Sequence, residues 1–137
     1  MKDREMPVIV GVGQVSEKEF DLDSSSPVDL MEKAVANSLE DAGLSSDIIS
    51  ELDTLAVVKS FREATKNSPE ALARRIGANN AKQWLMPNGG NGPQYLVNRF
   101  SESIAKRQCD FVVLAGAEAM ATARKIVKTT GSQPAWD

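Results

Sequence analysis

Residues 84–96 read Trp84-Leu85-Met86-Pro87-Asn88-Gly89-Gly90-Asn91-Gly92-Pro93-Gln94-Tyr95-Leu96. An apolar run ends, a loop with three glycines follows, and a helix begins. Glycines at such a turn allow φ > 0 and close approach of another group. Pro93 suits the first position of a helix, where a missing N–H costs nothing. In an α/β protein the start of that helix faces the space above the strand ends, where ligands bind. The stretch therefore predicts a strand, a turn and a helix, with a candidate site on the turn. An Asn/Gly-rich turn of this kind also occurs with no ligand at all.

Outward from the loop, Gln83 to Met86 is the strand, and Pro93 to about Gln108 is the helix, with Leu96, Val97, Phe100, Ile104 and Ala105 as its apolar side. Asp110 to Ala117 is almost wholly apolar and predicts the most buried strand, with Glu118 and Met120 at its C-terminal end. Residues 119–127 are compatible with a further helix, and Thr129 to Asp137 have loop chemistry.

Earlier in the chain, Pro7 to Gly13 is a β-branched run that predicts a central strand. Its GxG is not a dinucleotide fingerprint, because Ser16 holds the third glycine's place and a polar loop, Glu17 to Ser26, follows. It reads as a tight strand exit. Ser26-Pro27-Val28-Asp29 is a capping box opening a helix along Leu30, Ala34, Val35 and Leu39, with Gly43 as its stop. Ser45 to Leu52 suits a short helical turn, and Asp53 to Lys59 a second strand. Phe61 to Asn67 is a polar connection containing Arg62, Glu63 and Lys66. Ser68 then caps a helix through Ala71, Leu72 and Ile76 to Gly77, with Arg74 and Arg75 on its solvated face. The alternation βαβαβαβ predicts a mostly parallel sheet of about four strands with helices on both faces, in one domain spanning 1–137.

Composition narrows the functions. With 137 residues, 42% apolar and 26% charged, the chain is an ordinary globular domain. A net charge of -3 and 5% aromatics offer no footprint for nucleic acid. The mixed-charge start, Met1 to Glu5, and the short Val8–Val12 run lack the pattern of a signal peptide, and no apolar run is long enough for a membrane span. One cysteine, Cys109, permits no internal disulfide and suits a reducing, cytoplasmic setting. The absence of histidine removes Ser-His and Cys-His pairs and histidine metal sites from this chain, and no metal ligands are assigned.

The glycine loop, its helix, Ile104-Ala105-Lys106, Asp110 and Val112-Val113-Leu114-Ala115-Gly116-Ala117-Glu118-Ala119-Met120 together resemble the N-terminal half of thiolases. More narrowly they resemble the sterol-carrier-protein and thiolase-like acetyl-CoA acetyltransferase branch. Pro7 to Gln14 and Pro27 to Leu30 are similar to that branch as well. The resemblance covers nearly all of the chain but only the first part of a family member, which has two such α/β halves. It implies a three-layer α/β/α half, truncated and incomplete, whose fifth strand lies beyond this chain. Exposed sheet edges, marginal solubility, and a homodimer or partner subunit joined through such an edge are then expected.

In thiolases the nucleophilic cysteine stands at the start of the helix matching Pro93–Gln108, where a helix N-terminus favours a thiolate. The family's spacing from Asp110 puts that position at about Gly90, and Gly89, Gly90 and Asn91 carry no nucleophile. Cys109 lies at the opposite end of the helix and reads as a packed residue. The family's histidines and second cysteine belong to its C-terminal half. The resemblance thus implies a lipid-metabolic acyltransferase fragment, inactive alone and with no catalytic residue. It would take a coenzyme A thioester as ligand, with no covalent cofactor. Asn88, Gly89, Gly90, Asn91 and Gly92 form its substrate-binding loop: backbone N–H groups of 90–92 for an acyl carbonyl or oxyanion, and Asn88 and Asn91 as side-chain donors. Two alternatives stand beside it. One is a non-catalytic CoA-binding or partner module of the same fold. The other is an unrelated nucleotide-binding domain, disfavoured because neither GxGxxG nor GxxxxGK[ST] is present.

Overall fold

The structure is a computed structural model describing residues 6–19, 24–62 and 67–136. Met1 to Glu5, residues 20–23 of the polar loop, Glu63 and Lys66 of the connection, and Asp137 lie outside the described residues. In order come α1 (Pro27–Asp41), a 3-10 helix (Ser46–Glu51), β1 (Thr54–Val58), α2 (Ser68–Ile76), β2 (Lys82–Met86), α3 (Gly92–Ala105), β3 (Val112–Gly116) and α4 (Met120–Thr130). The strands form a parallel sheet in the order β2-β1-β3.

β1 is the central strand and is buried on both faces. Leu55, Ala56 and Val57 have no solvent exposure. Alternation along the strand sends Leu55 and Val57 into a core with Val28, Met31 and Val35 of α1 and Leu72 of α2. Ala56 faces the other way, against Leu96 and Phe100 of α3. The result is a three-layer α/β/α arrangement with α1 and α2 on one side and α3 on the other.

The sheet has three strands among the described residues, not the four expected. The Pro7–Gly13 run forms no strand, and Val8, Ile9, Val10 and Val12 are exposed. It lies along α1 instead of in the sheet. Val12 donates its N–H to Asp41 Oδ2 (2.9 Å), and Asn37 Nδ2 donates to the carbonyl of Gln14 (3.3 Å). Its GxG is a close-approach device and not a strand exit. A Cβ on Gly13 would lie 2.0 Å from the Ala34 carbonyl oxygen, and one on Gly11 2.2 Å from that of Ser38.

Three further expectations change. β3 is only half-buried, because the sheet order makes it an outer strand. The N-cap of α2 is Asn67, whose side chain accepts from the Glu70 N–H; Ser68 is already helical and buried. Arg75 is not on a solvated face: it pairs with Asp29 and, at 3.4 Å, with Glu32, tying α2 to α1. Buried α1 residues are Pro27, Val28, Met31 and Val35, whereas Leu30 and Ala34 are only half-buried. The capping box stands as expected: the Ser26 hydroxyl accepts from the Asp29 N–H (3.1 Å), and Asp29 Oδ2 from the Ser26 N–H (2.7 Å). Gly77 ends α2 at φ 82° and Gly43 follows α1 at φ 67°, both in the left-handed region.

Asp29 joins two of these contacts. Burial pushes its carboxyl up, but hydrogen bonds from Arg75 and from the Ser26 backbone and hydroxyl together hold it below the ordinary carboxylate value. A folded-state pKa below the unfolded one gives stability that is fully present above about pH 4 and lost as pH falls through the folded value. Ser26→Ala should cost about 1 kcal/mol in urea unfolding at neutral pH. Arg75→Gln should flatten the loss of urea midpoint on acidification; an unchanged acid slope would remove the ion pair as its source.

Candidate functional site

The register sets Val58, Met86 and Gly116 level at the C-terminal ends of the strands. Above them lies a cavity of about 450 Å³, walled by the exit of β1 (58–61), the loop 88–90, Pro93, Leu96 and Val97 of α3, and residues 114–118 of β3 and its exit. Most of that lining is apolar. Lys59, Ser60, Asn88 and Glu118 supply its polar side chains. A cavity of this size suits a small-molecule ligand or an acyl chain and is far larger than one water requires.

Two glycines lie at contact distance from Val58 at the strand ends. A Cβ on Gly92 would touch Val58 Cγ1 at 3.4 Å and Met86 Cγ at 3.7 Å, so the first turn of α3 rests on the ends of β1 and β2. A Cβ on Gly116 would lie 3.4 Å from that of Val58. Positive φ, allowed for by the sequence, is not used at 89, 90 or 92; the glycines that adopt it are Gly43, Gly77 and Gly131. Gly90 is different again, since an added Cβ there would meet nothing within 4 Å.

Of the five loop residues read from the sequence, Asn88, Gly89 and Gly90 line the cavity, while Asn91 and Gly92 fall outside its lining. The Gly92 N–H is already bonded to the Gly89 carbonyl (3.0 Å), and the Tyr95 N–H to that of Asn91 (3.0 Å). Asn91 occupies the N-cap position without a side-chain cap. Behind the loop, Trp84 meets Phe100 edge-on with ring centroids 5.5 Å apart, and the Arg99 guanidinium lies 4.3 Å from the Trp84 ring centroid. These contacts fasten α3 to the outer strand β2.

Sequence reading left Ser60, Phe61 and Glu118 without a role at the site. Glu118 Oε2 accepts the Phe61 N–H (2.8 Å) and Oε1 the Ala119 N–H (3.0 Å), so one carboxylate joins the exits of β1 and β3. The available signal was position: Glu118 is the first charged residue after an apolar strand, at the end where α/β sites form. Cys109 sits at the other end of α3, a 14-residue helix about 21 Å long. It packs with the Ala56–Leu96–Phe100 cluster. Burial first, then the carboxylates of Asp53 and Asp110, push its thiol up, which keeps it protonated. Among the described residues there is no group of three or more potential metal ligands, and no helix is long and apolar enough to cross a membrane.

No family model and no curated protein matches the chain. Solved structures do, and they define the class: the fold is that of the thiolase superfamily, of which this chain forms part of one half. A monomeric SCP2-thiolase-like protein type 1 from Mycobacterium smegmatis is 34% identical over 87% of this chain, with a TM-score of 0.75. The 3-oxoacyl-[acyl-carrier-protein] synthase III of Aquifex aeolicus is 16% identical over 82% of the chain, with a TM-score of 0.63. OleA of Xanthomonas campestris, solved with lauric acid and lauroyl-CoA bound, is 12% identical over 84%, with a TM-score of 0.65. The chain spans 25%, 35% and 34% of those three proteins, respectively.

Gly90 makes a direct test of the loop. The open space at its Cα admits a side chain, and the position lies two residues before α3 begins. The thiol of Gly90→Cys should feel the positive end of the helix and alkylate with iodoacetamide at least about tenfold faster than Cys109 at pH 7. Peptide mapping by mass spectrometry separates the two sites. Equal rates would show that the loop does not activate a nucleophile.

Proposed function

We propose that this chain is the N-terminal part of a thiolase-like acyl-CoA acyltransferase, and that it holds the acyl group of a coenzyme A thioester in the cavity beside the Asn88–Gly92 loop. The carrying observation is the apolar cavity at the level strand ends, bordered by Asn88, Gly89 and Gly90 immediately before α3. The fold of acyl-transferring neighbours and the 34% identity to an SCP2-thiolase-like protein support the reading. The narrower assignment is the acetyl-CoA acetyltransferase branch, in lipid metabolism and in the cytoplasm, where a single unpaired cysteine is stable. The donors this reading offers to the acyl carbonyl are Asn88 and the loop backbone at Gly89 and Gly90, which border the cavity.

The usual nucleophile is absent from the loop. Residues 88–93 offer only Asn, Gly and Pro, so an acyl-enzyme cannot form there, and Cys109 is distant and protonated. That same observation favours a second reading: a non-catalytic module that binds acyl-CoA or pairs with a partner subunit through an outer strand of the sheet. The acyltransferase reading and the acyl-CoA-binding form of the module share one cavity.

Calorimetric titration with dodecanoyl-CoA tests the shared claim. Saturable binding is expected. Gly116→Leu projects into the cavity beside Val58 at ordinary contact distance and should weaken binding at least about tenfold with little change in melting temperature. Binding that is absent in the unsubstituted protein, or unaffected by the filled cavity, would remove this site. Turnover of acyl-CoA by the intact protein would decide for the acyltransferase over the module.

A further inference from the structure

The chain has two Asn-Gly pairs, Asn88-Gly89 and Asn91-Gly92, and both fall where β2 hands over to α3. Such a pair carries chemistry of its own, one reason asparagine counts as thermolabile. The glycine backbone nitrogen, once it loses its proton to solvent base, attacks Cγ of the asparagine side chain. The bond from Cγ to the amide nitrogen breaks, ammonia leaves, and a cyclic imide remains. Water then opens the ring at one carbonyl or the other, giving aspartate or isoaspartate. Water is consumed, ammonia is released, and nothing is oxidised or reduced. Glycine favours the reaction because no Cβ crowds the attacking nitrogen and the backbone turns readily.

The fold treats the two pairs oppositely. The Gly92 N–H is bonded to the Gly89 carbonyl (3.0 Å), and Gly92 is buried as the first residue of α3. The Asn91 carbonyl accepts the Tyr95 N–H (3.0 Å), so the peptide between 91 and 92 is held through both its groups. Ring closure needs the glycine nitrogen level with the asparagine Cβ, whereas the Asn91 ψ of −6° sets it level with Asn91's own nitrogen. Reaching the reactive arrangement there would unwind the first turn of α3. None of this holds at 88. Asn88 is exposed and lies outside helix and strand. Among the described residues no hydrogen bond restrains its side chain or the 88–89 peptide. Segments with so few protein hydrogen bonds rearrange at little cost.

We propose that Asn88 is a site of spontaneous modification, converting through the imide to aspartate and isoaspartate, and that the start of α3 shields Asn91 from the same reaction. Asn88 borders the cavity together with Lys59 and Glu118, so conversion adds a carboxylate to that border. The new group is ionised at neutral pH. The isoaspartate form also adds a methylene to the main chain between Pro87 and Gly89. A neutral loop thus becomes an acidic one, whatever the cavity holds.

The test is incubation of the whole chain at mildly alkaline pH, folded and in urea, with timed samples digested by trypsin. Cleavage after Lys82 and Arg99 leaves both asparagines in one peptide. Fragment ions separate the two positions, and electron-transfer fragmentation distinguishes isoaspartate from aspartate. In the folded protein Asn88 should convert at least about tenfold faster than Asn91, the scale of the hydrogen bonding that must open at Asn91. In urea the two rates should converge. Gly89→Ala, whose methyl group crowds the attacking nitrogen, should slow conversion at 88 in both states. A Cβ at 89 would meet only the end of the Asn91 side chain, 3.2 Å away, so the loop accepts it. Equal rates in the folded protein, a preference for Asn88 that urea leaves undiminished, or no product at Asn88 while the unfolded chain converts, each overturns the proposal.

Discussion

The structure depends on β1 being buried on both faces and paired on both edges. Leu55, Ala56 and Val57 have no exposure, and each faces a different demand. The leucine and valine sides meet two helices, whereas Ala56 is small enough to let Leu96 and Phe100 of α3 come close on the opposite face. Removing a fully buried leucine side chain typically costs about 2–5 kcal/mol, a large part of a small domain's stability. The exposed ion pair Lys106–Glu102 belongs to a class that adds little to stability. Position in the sheet is therefore set by packing around β1, and the site inherits that position. Because both neighbours pair with β1 in level register, their C-terminal ends and the loops that leave them border one space.

Parallel pairing also explains how short, unremarkable segments become a cavity. Each strand exit carries a different solution to closeness. The exit of β2 uses Gly92 to seat α3 on Val58, and β3 ends in Gly116 against the same residue. Past the strand ends the chain becomes polar, and the Glu118 carboxylate bridges two exits by accepting backbone N–H groups. At the opposite end of the sheet Asp53 does the equivalent work, accepting the N–H groups of Asp110 and Phe111 at 2.7 and 2.8 Å. One acidic side chain thus closes each end of the β1–β3 pair, and both act through backbone donors that no helix or ladder uses.

Much of the fold was legible because it is written in local chemistry. The Ser26–Asp29 capping box, the prolines opening α1, α2 and α3, and the glycines after α1 and α2 mark helix ends by rules that need no tertiary information. Sheet order is not local, and there the reading failed. The sequence of β3 is as apolar as that of β1, so only the order β2-β1-β3 reveals which is central. The run Val8 to Val12 has the composition of a buried strand and yet lies exposed along α1. Its glycines are accounted for by the backbone of that helix; its valines and isoleucine find no comparable contact among the described residues. At the site, the loop was visible from its glycines, but Ser60 and Glu118 were not, because their neighbours in space are distant in sequence: Glu118 holds the N–H of Phe61, 57 residues away.

The glycines of the loop carry the final distinction between shape and chemistry. Gly92 is packed on its neighbours: a Cβ there would make contact with Val58 and Met86, and its N–H is committed to the turn. Gly90 has neither constraint. Its φ is not left-handed and nothing stands within 4 Å of where a Cβ would be. A position that packing leaves free, at the edge of an apolar cavity and just before a helix, is where a side chain would matter for a ligand and not for the fold. The scaffold of this loop is thus held by contacts that do not involve a side chain at position 90. Shape and side-chain chemistry are separable here on structural grounds: Val58, Gly92 and the level strand ends set the form of the cavity, and glycine at position 90 adds no side chain to it.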